Sequence, residues 1–413
     1  MLDLNGQSET VTAVNSASSS AAVKLGSGTL TINSFANSSF AGVVSGTGSL
    51  VKSGADTLTL SGANTYSGGT TISAGVLNIQ NNSALGANTA ATTVSGSGAA
   101  LQLQNNITVT GQTLTLNGTG VANDGALRNV QDNNTWAGNL TVASNSRINS
   151  DAGTLTVSGN VSSPANASLN VGGAGNTVLS GVVTTGTGPL TKDGSGTVTL
   201  SGTTANTSSG NVSVNAGTLA LQKTDGVNAI AGSGNTITIN TGGTLLLNAN
   251  NQIANGVKVT LAGGTLDLGA HAETVGALTL TANSSLNFSP SSTSYGTLHF
   301  GTSDPSTWTA NTTLYVYNYN DNGGANSDAL YFGTSSLGLG SGGPIFPSIV
   351  FVNPNGNAGN AAGVIDSTGR VRPVPEPATV ATVLLLLGAV GYRERKPLLA
   401  FLARVRRSVH TPS

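Results

Sequence analysis

The sequence predicts an all-β chain wound as a parallel β-helix, closed by a β-rich C-terminal cap and ending in a short hydrophobic helix. Three observations carry that expectation. Short runs such as "TLTLSG", "GTLTVSG", "GTVTLSG" and "GGTLDLG" alternate apolar residues with Thr or another small polar residue, which puts every Leu or Val on one face of a strand. Two long stretches repeat each other. Near the C-terminus the composition changes, first to aromatic-rich and then to an apolar run from Ala378 to Tyr392.

The repeat is read from ordered positions. "GTGSLVKSGADTLTLSG" at Gly46–Gly62 matches "GTGPLTKDGSGTVTLSG" at Gly186–Gly202, an offset of 140. "ISAGVLNIQ" at Ile72–Gln80 matches "VNAGTLALQ" at Val214–Gln222 at an offset of 142, with the slip where a loop insertion belongs. Sandwich array, up-and-down barrel and solenoid could all use such strands. Similar units at flexible spacing favour the solenoid, in which each turn need only match its neighbours. Roughly 20–25 residues per turn, stacked about 4.8 Å apart, would give ~290 residues a length near 60 Å. Charged residues are only 8% of the chain against about 25% in ordinary soluble domains, as in-register stacking requires. Gly, Asn and Ser between the runs are expected to make turns. Lys52 and Lys192 recur with the repeat and are expected at a solvated edge.

At these residues the chain resembles the autotransporter-associated β-strand repeat of bacterial passenger domains. Gly48 to Leu77 follow its Gly-x-Leu-x-Lys-x-Gly, Leu-x-Leu-Ser-Gly-x-Asn-x-Tyr-x-Gly and Gly-x-Leu pattern. Gly188 to Leu219 match at both ends, with "TTANTSSG" in place of the Asn-x-Tyr centre. The resemblance implies a right-handed parallel β-helix, with weaker turns expected to about Phe288. The repeat region is thus 1–288, clearest at 46–80 and 186–222. Transport through a barrel of its own is disfavoured, because the residues after Phe288 hold too few amphipathic strands of about 9–11 residues.

Ten of the 17 aromatic residues fall between Tyr295 and Phe351, marking 289–370 as a separate module. A cap on the open end of the solenoid is the first reading, and stacking of sugar rings on exposed aromatics is the second. From 371 to 413 the order of parts is informative. Pro375-Glu376-Pro377 precedes the apolar run 378–392, and Arg393, Arg395 and Lys396 follow it. Fifteen residues fall short of the usual 20-residue span, and the flanking cations would hold the run by snorkelling and the positive-inside rule. This arrangement resembles the PEP-CTERM sorting signal of Gram-negative bacteria. The resemblance implies an exosortase-type membrane protease as partner. It departs from the pattern in the 17 residues that follow Lys396. A retained anchor is the alternative. The N-terminal "MLDLNGQSETV" has neither a basic start nor an apolar core. It resembles "TLDLGAHAETV" at Thr265–Val275, so the chain is expected to begin inside a turn, with an export signal and earlier turns missing.

Met1–Pro377 carries a net charge of −6 and Ala378–Ser413 one of +5, which leaves no basic patch on the body for nucleic acid. Cysteine is absent, excluding disulfides and thiolate metal sites. β-Helical lyases and hydrolases need clustered carboxylates or bases. Here Asp56, Asp124, Asp132, Asp151, Asp193, Asp225 and Asp267 stand singly, and His271 and His299 have no second ligand at metal spacing. "GGAGNT" at Gly172–Thr177 has Asn176 where a calcium repeat needs Asp. No catalytic, cofactor-binding or metal residue is assigned. The expectation is a non-catalytic protein of the cell surface or extracellular matrix, meeting exopolysaccharide or glycans. Its rival is a β-helical polysaccharide lyase or glycoside hydrolase.

Overall fold

The computed structural model describes residues 1–373, except 88–89, 292, 305–306, 322–326, 334–345, 355–359 and 366–367. The tail residues singled out above, Pro375, Glu376, Pro377, Arg393, Arg395 and Lys396, and the run 378–392, lie outside the described residues. Among the described residues no helix is long and apolar enough to cross a membrane. A 3-10 turn lies at Val121–Asn123.

The body is a parallel β-solenoid of about 13 turns. The strands of successive turns form three ladders, so the cross-section has three faces. Face A stacks Glu9–Val11, Leu30–Asn33, Leu50–Ser53, Thr70–Ile72, Ala91–Val94 and Thr113–Gly118 and runs on to Val183–Thr184. Face B runs from Ser38–Phe40 through Thr57–Leu60 and Val76–Ile79 to Leu278–Ala282. Face C runs from Thr108–Val109 through Thr154–Val157 and Thr197–Gly202 to Ser284–Phe288. The 11-residue strand Leu140–Ser150 turns a corner, its first half pairing on face A and its second on face B. Leu2–Asp3, Ala22–Lys24 and Val43–Ser45 stack at the N-terminal end of the third side.

Register carries the alternation from turn to turn. On face B, Leu58, Leu77, Leu101, Leu127, Ile148 and Val171 stand one above another. All six have no solvent exposure. Their outward neighbours Thr59, Asn78 and Gln102 form their own column. Burying one such Leu is worth about 1.5–3 kcal/mol, and a one-residue slip would turn the whole column outward. Outside, face A presents Thr71, Thr93, Thr115 and Thr141 in register, a neutral row of hydroxyls.

Glycine is required where turns stack at close range. At Gly54 (φ 82°) a side chain would be strained, and a Cβ would sit 2.3 Å from the Ser34 carbonyl oxygen of the turn below.

The parallel register crosses Phe288 without a break. Ser284–Phe288 pairs with Leu314–Tyr317, and that strand with Phe346–Val352. On face A, Ala272–Val275, Thr297–Phe300 and Ala329–Phe332 also stack in parallel. Antiparallel pairing then begins. Asn360–Ile365 pairs with Phe346–Val352, and Arg370–Pro373 pairs with both Asn360–Ile365 and Ala329–Phe332. These two strands join the last turns of faces A and C, covering edges that would otherwise be open templates.

The facing assignment gives a direct test. Leu58→Asp buries a carboxylate with no partner and should cost several kcal/mol, whereas Thr59→Asp on the outward side should shift the urea midpoint little. Equal losses in the two variants would overturn the assignment.

Candidate functional site

Alternation puts Lys52 on the same side of its strand as Leu50, and the structure places it there. Lys52 follows Ile32 in the inward column of face A and precedes Ile72. Lys192 follows Val171 and precedes Val214 in the inward column of face B. Their exposures are 0% and 1%, so the expected solvated edge is corrected. Each side chain runs from the core to a turn and donates to three carbonyls. Lys52 Nζ reaches Ser53 O (3.0 Å), Gly54 O (2.9 Å) and Ala74 O (3.3 Å). Lys192 Nζ reaches Asp193 O (2.7 Å), Gly194 O (2.8 Å) and Ala216 O (2.8 Å). Two acceptors belong to the lysine's own turn and one to the next, so the ammonium clasps successive turns. Burial lowers the Lys52 ammonium pKa against the pull of Asp56. Burial takes that of Lys192 to about 8, with Asp193 raising it and Arg147 lowering it.

The centre of the repeat is the second clasp. Asn64, buried, accepts from Val44 N (2.8 Å) and donates to Ala84 O (2.6 Å), binding the turns below and above its own. Asn206 does the same with Val183 N (2.9 Å) and Ala229 O (2.7 Å). The second repeat therefore keeps the Asn of the centre, which the 140-residue alignment hides and the 142-residue alignment brings onto Asn64. It lacks the Tyr. Tyr66 is fully buried with its hydroxyl 2.6 Å from Thr70 Oγ1, while Ser208 and Val212 stand in their places. A cavity of about 20 Å³ remains there, lined by Leu190, Leu200, Asn206, Ser208, Val212 and Ile230 among others. That is room for one water.

The two repeats also occupy different sides of the solenoid. Leu50–Ser53 lies on face A and Leu190–Lys192 on face B, while Thr57–Leu60 lies on face B and Thr197–Gly202 on face C. The clasps work equally on any side because they bind only to adjacent turns.

Corners are tied by asparagines read from the sequence only as turn formers. Asn82, Asn106, Asn133, Asn139, Asn160 and Asn176 each use Oδ1 to accept a backbone N–H of the following turn, at 2.8–3.2 Å. Asn176, considered above as a calcium-repeat position, is one of these ties.

The acids are also engaged structurally. Arg128 pairs with Asp124 (3.1 Å) and Asp151 (2.7 Å). Arg147 grips Asp193 with both terminal nitrogens (2.6 and 2.7 Å) across two turns. Gly172 lies under that grip, where a Cβ would meet Asp193 Oδ1 at 1.8 Å. Asp132, Asp225 and Asp267 accept from Asn105 N, Asn250 N and Gly269 N. Among the described residues no three of His, Asp and Glu lie close enough together to hold a metal ion.

In the aromatic-rich segment His299 and Tyr331 stack face to face, 4.2 Å apart. They border an open groove of about 290 Å³ with Phe300, Phe332, Gly333 and Thr368. Burial lowers the His299 pKa.

The repeat family described as passenger-associated-transport-repeat matches residues 23–47, 50–79 and 190–221. The first stretch is a further copy, which the sequence comparison above did not separate from its surroundings. The chain matches none of the curated proteins and none of the solved structures. In three stretches of its solenoid this chain is similar to passenger-associated-transport repeats.

The lysine clasp is testable. Lys192→Met leaves three part-buried carbonyls without their donor and should cost roughly 1–3 kcal/mol. Lys258→Met, at an exposed position, should stay within about 0.5 kcal/mol. Matching urea midpoints for the two variants would rule the clasp out as a stabilising contact.

Proposed function

We propose that this chain is a passenger-like, non-catalytic protein of the cell surface or extracellular matrix, a stiff, sparsely charged stalk carried on a C-terminal sorting signal. The observation that carries the reading is the family match at 23–47, 50–79 and 190–221, set in one continuous parallel solenoid. Stacked turns give length and stiffness. The hydroxyl and amide columns outside suit contact with exopolysaccharide or glycans, to which neutral hydroxyls offer hydrogen bonds without a charge to desolvate. The buried lysines and the ion-paired acids serve the stack, so the lyase or hydrolase reading gains no support from them.

The tail reading rests on residue order alone. Pro375-Glu376-Pro377 would be read by an exosortase-type membrane protease. The run 378–392 with Arg393, Arg395 and Lys396 would hold the precursor in a locally thinned bilayer. Export of the full-length gene product should then give a membrane-held precursor and a shorter mature form, with Arg404–Ser413 peptides missing from the mature form by mass spectrometry. Glu376→Ala should make precursor accumulate. Tail peptides recovered from surface protein at the yield of body peptides would show an uncleaved anchor instead.

A further inference from the structure

The outward side of face C changes character at its last turns. Up to Ser284–Phe288 its two outward columns hold mostly small polar residues. Thr244, Thr265 and Ser285 stand in one, and Asp267 and Asn287 in the other. At Leu314–Tyr317 the columns continue as Tyr315 and Tyr317, while Leu314 and Val316 of the same strand are fully buried. Parity therefore turns both rings outward. Tyr317 is 37% exposed and Tyr315 half-buried. The ring centroids lie 6.5 Å apart with the planes tilted by 38°, so neither ring covers the other's face. His299 and Tyr331, by contrast, use one face each on their mutual stack. Val350 and Val352 continue the two columns above, and Asn360 pairs with Val352. Below the rings the amides are linked in a chain. Asn318 Nδ2 donates to Asn287 Oδ1 (2.6 Å), and Asn287 Nδ2 to Asp267 Oδ2 (2.9 Å).

We propose that Tyr315 and Tyr317 form a binding platform for a neutral glycan, two neighbouring pyranose units lying over the two rings. It rests on the glycan contact inferred above and gives that contact a place. The C–H face of a pyranose is flat and apolar and packs on an aromatic ring, while its hydroxyls point to the rim and need donors and acceptors there. The patch supplies both in that order. The rings and the two valines make an apolar centre, with Asn287 and Asn318 at its lower rim and Asn360 at its upper. That centre measures roughly 7 Å along the strand and about 14 Å along the axis between its rims. It suits one or two sugar rings and falls well below the ~800 Å² per partner of a stable protein interface. Charge points the same way. Within these two columns, from Thr244 to Asn360, Asp267 alone is charged, and both its oxygens are engaged, by Gly269 N and Asn287 Nδ2. With no cation in either column, an acidic polymer finds nothing there to pair with.

Calorimetric titration of the full-length protein with cellohexaose, chitohexaose and mannohexaose tests the platform. At least one should bind, and Tyr317→Ala should weaken it about fivefold or more. Tyr317→Phe keeps the ring and should stay within about twofold of the wild type. Added salt should leave the affinity unchanged, because no ion pair forms, and His299→Ala should bind as the wild type does. Binding that survives both Tyr315→Ala and Tyr317→Ala would overturn the platform and leave glycan contact elsewhere on the stalk. Binding of none of the three would overturn the platform and the glycan contact together, while the surface and sorting reading would still stand or fall on its own processing experiment. A dimer that Tyr317→Ala splits into monomers in sedimentation would show an interface between copies and overturn the glycan site. Should Tyr317→Ala fail to fold, proton NMR of the sugar with the wild type decides. Upfield ring-current shifts of its C–H protons on binding support stacking, and unshifted protons refute it.

Discussion

Everything in this molecule depends on each turn lying directly on the one below at ladder spacing, about 4.8 Å. At that distance like sits on like. A column of Leu buries itself completely, and a column of Thr is harmless in water, but a column of one charge would repel itself at every step. The 8% charge content is the visible result. So are the ion pairs that some of the few charges on the faces make one or two turns away, as Arg128 meets Asp151 and Arg147 meets Asp193.

Stacking also sets what happens to polar groups at the corners. Strands satisfy each other's N–H and C=O groups along a face, but each turn leaves several groups unsatisfied and too close to the next turn for a water layer. The chain answers with side chains that reach one turn along the axis. Corner asparagines accept the N–H above them, Asn64 and Asn206 span three turns, and the lysine ammonium gathers three carbonyls. These contacts reach neighbouring turns and do not refer to a particular side. That is why one sequence unit folds on faces A and B near residue 50 and on faces B and C near residue 190.

The same logic locates the weaker places. Where Ser208 and Val212 replace Tyr66 and Thr70, a water-sized gap opens. Where face A loses its strands, side-chain oxygens of Asn206 and Glu273 accept backbone N–H groups beside the backbone bonds that persist there, and Glu273 brings an ionisable group into the stack. Higher up, rings replace aliphatics, with Phe300 on Phe332 and His299 on Tyr331. The chain then reverses direction, and antiparallel strands pair with the last strands of faces A and C.

The sequence by itself determined the all-β class, the parallel stacking, the length of a turn and the side each Leu and Thr would face. All of these follow from period-two alternation and a repeat that recurs after whole strands. It also contained the inward placement of Lys52 and Lys192, through their parity with Leu50 and Leu190, although a charged residue in an exposed-looking turn suggested the opposite. Only the tertiary structure decided what those ammonium groups bind, since their carbonyl acceptors come partly from a turn 22 to 24 residues later in the chain. The same holds for Asn206 between Val183 and Ala229, for Arg147 on Asp193 and for Glu273 beneath Leu298. Such partners are fixed by the winding of the solenoid, and the number of residues in a turn varies too much for spacing along the chain to reveal them.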